Sequence, residues 1–330
     1  KWAEEEGMDV EFVFWGHSEL LTFLSQDKHK GRIYFWFNSD HLTETKIQDQ
    51  MDVSISNAKD RYSPELHVDT GNADIFEPLG RTPTFEEKVN ELLDDLDEEA
   101  SKLFTERRLE ILEEVDKDAT LNLRQAIENL PDLLEDIEQI SEDIPLKKLR
   151  ENGEKAENAI RELAPQLRAL KEETEEEKSE TEGLGRSAMY DFRQLRGAVA
   201  DLKGYLDSND LQAAEDSVLK VLGDAGVGKT HLLCNVAKNR MEDGYPTVLL
   251  LAENFRDRDI WAQMIERLGL DCTPEEFLGA LDSFGESRGV RSLLMVDALN
   301  ESSDPRMWNR QLPGILSKLD NYPHIGLCVS

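Results

Sequence analysis

Short apolar runs alternate with amphipathic stretches over residues 215–330. Four runs rich in Leu, Ile and Val are predicted as buried strands, at 218–222, 247–251, 292–296 and 325–329. The segments between them have helical periodicity, at 229–240, 259–269, 274–285 and 306–319. Strands that alternate with helices of this length are typical of βαβ crossovers, so we expect a parallel sheet covered by helices.

The middle of the chain, residues 84–214, repeats its apolar positions with the period of a helix. From Phe85 onward, apolar residues recur every three or four positions, and acidic residues fill the other faces. Further helices are predicted at 121–140, 146–181 and 187–206. Breaks or kinks are expected at Pro131, Pro145 and Pro165. Because the apolar stripe is not a strict heptad across these breaks, the pattern favours antiparallel packing of long helices over one continuous coiled coil.

The first 83 residues divide into two smaller pieces. In residues 1–50, VEFVFW and RIYFWF are typical of strands and SELLTFL of a short helix, which indicates the C-terminal part of an α/β domain. Trp15 and Trp36 lie among apolar neighbours and are predicted to be core residues. Residues 51–83 contain Asn, Asp, Gly and Pro and are interpreted as an ordered, irregular connector.

Composition narrows the class of protein. The chain has 330 residues, 39% of them hydrophobic, and no apolar run approaches the roughly 18–20 residues that cross a bilayer, so we expect no membrane partner. Its first residues, KWAEEEG, do not resemble a signal peptide, and its last, HIGLCVS, lie in a predicted strand, so we expect an excerpt of a longer protein. Three widely separated cysteines without CxxC spacing favour neither a disulfide framework nor a zinc site, which indicates a reducing cytoplasm.

The formal charge of −32 argues against nucleic acid as a direct partner. Residues 81–215 alone carry −18 of this charge, and no basic patch with interleaved aromatic residues occurs in the chain. The acidic run KEETEEEKSE is interpreted as a solvated helix face or tip rather than as a specific binding site.

The stretch VLGDAGVGKTHLL contains a candidate phosphate-binding loop. It matches G-x-x-x-x-G-K-[ST] from Gly223 to Thr230, between a predicted strand and a predicted helix. Glycines allow backbone N–H groups to point at phosphate oxygens, and the helix N-terminus adds partial positive charge. We expect Lys229 to neutralise the outer phosphates and Thr230 to bind Mg²⁺. The candidate nucleotide-binding residues are Gly223, Asp224, Ala225, Gly226, Val227, Gly228, Lys229, Thr230 and His231.

A second motif, LLMVDALNE, supplies candidate carboxylates. The apolar run ends at Asp297, so this carboxylate is expected at the end of a buried strand beside the loop, where it can hold magnesium through water. Glu301 can polarise an attacking water, and Asn300 can help to position it. For two of these residues an interpretation without a functional role remains open. Glu301 can be an exposed acidic loop residue, and His231 can be a packed or solvent-facing helix residue.

Three segments in this order and spacing, VLGDAGVGKTHLL, LLMVDALNESSDPRMWN and HIGLCVS, resemble the NTPase core of bacterial STAND proteins, in particular the antiviral STAND (AVAST) defence proteins. FVFWGHSELLTFL and DRYSPELHVDTGNADIFEPLGR also resemble the junction between effector and NTPase in such proteins. The resemblance implies a cytoplasmic ATPase that binds ATP and Mg²⁺ and forms a homo-oligomer, a tetramer or a similar assembly. It further implies that a phage protein is sensed through C-terminal repeats and that an N-terminal effector, often a nuclease, is activated.

Transferred onto this sequence, the family's Walker A motif falls on residues 223–230 and its Walker B motif on Asp297, with Glu301 nearby. The family's fifth strand, sensor arginine, winged-helix region and repeats have no counterpart in the 330 residues, and neither has a nuclease core. We therefore expect an incomplete α/β P-loop NTPase domain of the ASCE/STAND type. An acidic helical domain would link it to the end of an effector-like domain, and DNA would be contacted only through that effector.

The main hypothesis is a nucleotide-dependent oligomerisation switch with slow hydrolysis. The alternative is an AAA+-like or DNA-repair motor ATPase in which the long helices form an arm, although the sequence has neither an LSGGQ-like signature nor an NKxD motif. A third reading is a helical scaffold with a degenerate site. Rapid ATP turnover without a trigger would favour the motor.

Overall fold

The computed structural model describes residues 42–66, 68, 71–138, 146–174 and 180–330, with residues 22, 23, 26 and 29. The two strands predicted within residues 1–50, and with them Trp15 and Trp36, lie outside the described residues. So do Pro145 and the centre of the acidic run, residues 175–179.

Helices and strands divide the described residues as follows. In chain order, the helices are α1 (Glu44–Ala58), α2 (Phe76–Gly80), α3 (Pro83–Leu103), α4 (Glu106–Glu138), α5 (Leu146–Thr174), α6 (Glu180–Leu206), α7 (Asn209–Asp216), α8 (Lys229–Glu242), α9 (Ile260–Arg267), α10 (Pro274–Arg288) and α11 (Arg306–Leu319). The strands are β1 (Val218–Lys220), β2 (Thr247–Leu251), β3 (Ser292–Asp297) and β4 (Ile325–Val329). None of the described helices is long and apolar enough to cross a membrane.

The four strands form one parallel sheet in the order β1-β4-β3-β2. Helix α8 connects β1 to β2, α9 and α10 connect β2 to β3, and α11 connects β3 to β4. Strands β2, β3 and β4 are buried along their whole length, which explains their unbroken apolar runs. The predicted parallel sheet with covering helices is therefore confirmed.

Helix α1 corrects the interpretation of residues 51–83 as an irregular connector, since the helix continues to Ala58. Its buried side chains include Ile47, Met51 and Ser54, and it packs on the edge strand β2. The Ser54 hydroxyl donates to the carbonyl of Leu249 at 2.6 Å, so α1 satisfies and covers part of an edge that would otherwise be open. The sequence pattern concealed this helix because its buried face is partly polar.

Helices α3 to α6 form a separate bundle with its own core. Each packs mainly against two neighbours, α4 with α5, α5 with α6, α6 with α3 and α3 with α4, and α4 also touches α6. Arg150 at the start of α5 donates to the carbonyl of Leu206 at the end of α6 at 3.0 Å, and Glu157 further along α5 pairs with Lys203. The partners in α6 move towards its start as those in α5 move towards its end, so the predicted antiparallel packing is confirmed for this pair.

The break in helix α4 is not at a proline. Helix α4 and helix α5 continue through Pro131 and Pro165, but Asp116 within α4 has extended angles, φ −159° and ψ 102°. Its carboxylate accepts the backbone N–H of Ala119 at 2.9 Å, which is the hydrogen bond of an N-cap residue. Neither Pro131 nor Pro165 interrupts its helix, so a break at either proline is wrong, and α4 consists of two helical stretches joined at Asp116.

Buried arginines fix both ends of the bundle to the sheet. The carbonyl of Ala214, near the end of α7, accepts from Arg81 Nη2 at 3.1 Å and from Arg291 Nη1 at 2.6 Å. The backbone N–H of Arg291 donates to the carbonyl of Gly80, just before the bundle, at 2.7 Å. Arg240 Nη2 also donates to the Arg291 carbonyl, at 2.8 Å, and burial lowers the pKa of Arg240 to about 10, so its guanidinium stays charged at neutral pH.

Substitution by alanine is expected to have opposite effects on stability at two glycines, Gly285 and Gly314. A Cβ at Gly285 in α10 would lie 2.7 Å from the carbonyl oxygens of His324 and Val290 and 2.8 Å from the nitrogen of Ser292. These are backbone atoms of the sheet region, so Gly285→Ala is expected to lower the free energy of unfolding by about 2–3 kcal/mol. A Cβ at Gly314 in α11 meets nothing within 4 Å, so Gly314→Ala is expected to raise it by about 0.5–1 kcal/mol. Urea denaturation measures the free energy of unfolding of both variants. A change in the same direction for both would contradict the close packing around Gly285 or the open space around Gly314.

Candidate functional site

The loop between β1 and α8 owes its shape to glycines. Gly226 has φ 84° and Gly228 has φ 95°, in the left-handed region that other residues adopt only with strain. A Cβ at Gly223 would lie 3.0 Å from Cγ2 of Val227. Helix α8 begins directly after Gly228, so the loop leads into a helix N-terminus whose first N–H groups have no partner within the helix.

The ammonium group of Lys229 lies over this loop. Its Nζ donates to the carbonyl of Gly223 at 2.7 Å and to that of Asp224 at 2.9 Å. The loop backbone therefore holds the positive charge beside the helix N-terminus, and the same region carries partial positive charge from the N–H groups of the first turn.

Asp297, the last residue of β3, has both carboxylate oxygens engaged. The hydroxyl of Thr230 donates to Oδ2 at 2.6 Å, and the hydroxyl of Ser330 donates to Oδ1 at 2.5 Å. Ser330 Oγ in turn accepts the N–H of Ala298 at 2.8 Å. Asp297 is only 1% exposed, so the two hydroxyl donors offset part of the cost of burying its charge.

Two cysteine thiols near Asp297, those of Cys234 and Cys328, are kept protonated. Burial, with a smaller contribution from the charge of Asp297, raises the pKa of Cys234 to about 12. Burial and then Asp297 raise the pKa of Cys328 as well. Both cysteines are free and buried in the core around the sheet, so they act as small apolar side chains and not as nucleophiles.

Asn300 and Glu301 lie in a 3₁₀ turn, Leu299–Glu301, which follows Asp297 after one residue, Ala298. The turn is possible because Ala298 adopts left-handed angles, φ 56° and ψ 56°. Oε2 of Glu301 accepts a hydrogen bond from Arg61 Nη1 at 2.7 Å. The carboxylate predicted from the motif therefore faces the same region as the loop, but it is held by an arginine from a distant part of the chain.

One cavity, with a volume of about 770 Å³, lies between the loop and the ends of the strands. Nine of the residues predicted as site residues line it: Gly223, Ala225, Gly226, Gly228, Lys229, Thr230, Asp297, Asn300 and Glu301. Asp224, Val227 and His231 are outside its lining. His231 contacts the segment after α1, where its Nδ1 accepts the N–H of Ser63 at 3.5 Å and its ring centroid is 5.1 Å from that of Tyr62.

Among the lining residues that sequence reasoning missed, Arg61 and Ser330 donate side-chain hydrogen bonds to predicted site carboxylates, Glu301 and Asp297. Ser330 directly follows the buried strand β4, just as Asp297 ends β3, so a search for polar residues at strand ends could have found it. No local signal marks Arg61. It lies in a 3₁₀ turn after α1, more than 150 residues before the loop, and reaches the cavity because α1 packs on β2.

The donor set of the cavity suits a phosphorylated ligand with a hard divalent cation. The loop supplies backbone N–H groups and the ammonium of Lys229, and the cavity lining also includes the hydroxyl of Thr230 and the carboxylate of Asp297 as oxygen ligands. Within the described residues, no group of three or more His, Cys, Asp or Glu side chains is placed to hold a metal ion by itself. Such a site fits Mg²⁺, which takes one or two protein ligands together with phosphate oxygens and water.

Comparison with protein-family models, with curated proteins and with solved structures finds no match to this chain.

Proposed function

We propose that the chain binds ATP with Mg²⁺ at this cavity and acts as a STAND-type nucleotide switch built on a P-loop NTPase domain. The observation that carries the proposal is the hydrogen bond from Thr230 to Asp297 beside the ammonium of Lys229. It joins the glycine-rich loop to the end of β3, which brings the two halves of the sequence motif to one point. A loop hydroxyl bonded to a buried carboxylate supports a phosphate-binding loop over a chance match to the pattern.

In this proposal each side chain has a distinct task. The loop N–H groups and Lys229 would bind the phosphates, and Thr230 and Asp297 would hold the cation, Asp297 through water. The magnesium ion, when bound, supplies positive charge that stabilises the developing charge on the phosphate oxygens. Glu301 accepts a hydrogen bond from the attacking water, and Asn300 helps to orient it.

The biological setting follows from the resemblance of the motifs to antiviral STAND proteins. We propose that the chain belongs to an anti-phage defence protein that oligomerises, as a tetramer or a similar homo-oligomer, when ATP is bound and a phage protein is sensed. The sensing repeats and most of an effector, a nuclease that contacts DNA, would lie outside this chain. The packing of helix α1 on β2 supports a mechanical link between the effector and the sheet, because α1 follows the N-terminal region in the chain.

A titration of the purified chain with ATP and ADP, with and without Mg²⁺, tests this function. Calorimetry is expected to show one site per chain, with ATP bound more tightly when Mg²⁺ is present. Light scattering on the same samples measures molecular mass, and an increase with ATP and Mg²⁺ would locate assembly contacts within these residues. Absence of nucleotide binding would overturn the proposal, and rapid untriggered turnover would favour the motor ATPase with a helical arm instead.

A further inference from the structure

Arg61 occupies a position between two carboxylates at the rim of the cavity. Its Nη1 donates to Glu301 Oε2 at 2.7 Å, and its Nη2 donates to Glu253 Oε2 at 3.1 Å. Its Nε donates to the carbonyl of Ala58 at the end of α1, at 3.3 Å. The planar guanidinium thus donates to two carboxylates and to the last residue of α1.

The two carboxylates belong to neighbouring strand ends. Glu253 lies in the 3₁₀ turn that follows β2, and Glu301 lies in the turn that follows β3. Arg61 therefore ties both turns to the segment after α1, which enters the fold before the bundle and far from the motifs in sequence. Arg61 therefore connects the orientation of the Glu301 side chain with the position of the end of α1.

We infer that Arg61 restrains ATP hydrolysis by holding the carboxylate of Glu301 away from the attacking water. This inference rests on the proposed function, in which Glu301 accepts a hydrogen bond from that water. A water molecule at Oε2 has to compete with a charge-assisted hydrogen bond, which is stronger than a neutral one. Arg61 is accordingly a positioning residue: it acts on the reaction through Glu301.

The geometry favours this role over direct phosphate binding by Arg61. Both terminal nitrogens of its guanidinium already face carboxylates, whereas the ammonium of Lys229 contacts only backbone carbonyls of the loop. Phosphate could recruit Arg61 only by displacing two negatively charged partners. The loop and Lys229 supply phosphate donors without such an exchange.

Steady-state ATP hydrolysis by Arg61→Ala is expected to show a kcat about two- to fivefold above wild type. The size follows from the strength of a partly exposed ion pair, whose side chains are 32% and 42% exposed. The Kd for ATP, measured by calorimetry, is expected to stay within about twofold of wild type, because Arg61 is not among the phosphate ligands. A merely structural role would lower kcat or weaken binding and would not raise kcat alone.

Two matched variants sharpen this test. Arg310→Ala removes another exposed arginine, which pairs with Asp257 at 2.8 Å outside the cavity, and it is expected to leave kcat unchanged. The double variant Arg61→Ala with Glu301→Gln is expected to hydrolyse ATP no faster than Glu301→Gln alone, because the restraint acts only through Glu301. An additive increase in the double variant would overturn the inference.

Hydrogen exchange supplies a measurement that does not depend on turnover. In the nucleotide-free chain, Glu301→Gln is expected to speed amide exchange about two- to fivefold in the segment around Tyr62, since the ion pair that holds Arg61 is lost. Unchanged amide exchange would show that the ion pair between Arg61 and Glu301 does not hold this segment in place.

If wild type fails to bind ATP, the proposed function fails and this inference with it. If it binds ATP and Arg61→Ala does not raise kcat, only the inference fails.

Discussion

Replacing Lys229 with alanine is expected to weaken ATP binding about 30- to 150-fold. The Lys229 ammonium lies over the glycine-rich loop, 2.7 Å from the carbonyl of Gly223, and in the proposed complex it exchanges these carbonyl contacts for phosphate oxygens. A charge-assisted hydrogen bond of this kind contributes about 2–3 kcal/mol, which corresponds to that change in Kd. Calorimetric titration with ATP and Mg²⁺ measures it directly.

Lys238→Ala is the matched control for this variant. Lys238 lies on the same helix, α8, and pairs with Glu242 at 3.8 Å on an exposed face outside the cavity. Its loss changes the net charge by the same amount but removes no group from the site. ATP affinity within about twofold of wild type is expected for this control. Equal weakening by both lysine variants would point to a general electrostatic effect and would contradict the role assigned to Lys229.

The second large effect is expected for Asp297→Asn, which keeps the side-chain size and removes the charge. Mg²⁺ is expected to lose its ability to strengthen ATP binding, and kcat is expected to fall about 100-fold. The physical reason is that Asp297 is the buried carboxylate bonded to the hydroxyl of Thr230, so its negative charge lies where the proposed cation would be held. Titrations with ATP at several Mg²⁺ concentrations, together with steady-state kinetics, measure both quantities.

Asp282→Asn separates this functional effect from the general cost of changing a buried carboxylate. Asp282 is 5% exposed and accepts the backbone N–H of His324 at 2.8 Å, but it lies outside the cavity. Thermal denaturation of both variants measures the change in stability. We expect only Asp297→Asn to abolish the effect of Mg²⁺ on ATP binding, and its loss in Asp282→Asn as well would trace that effect to lowered stability.

Much of the sheet could be predicted because its local patterns are strong. Strands β2 and β4 have the predicted ends, since unbroken apolar runs bounded by polar residues are typical of strands buried on both faces. Helix ends in the bundle were less predictable. The break at Asp116 coincides with a side-chain cap, the hydrogen bond from the N–H of Ala119 to its carboxylate, whereas the helix continues through residue 131.

The sequence by itself determined the local elements of the site: a glycine-rich turn before a helix, a lysine and threonine at its start, and a carboxylate at the end of a buried run. These follow from backbone conformation and from the period of apolar residues, which are properties of neighbours in the chain. Only the tertiary structure decided that Ser330 supports Asp297 and that Arg61 holds Glu301. Their placement depends on the strand order and on the packing of α1 against β2, which are set by contacts between segments far apart in sequence.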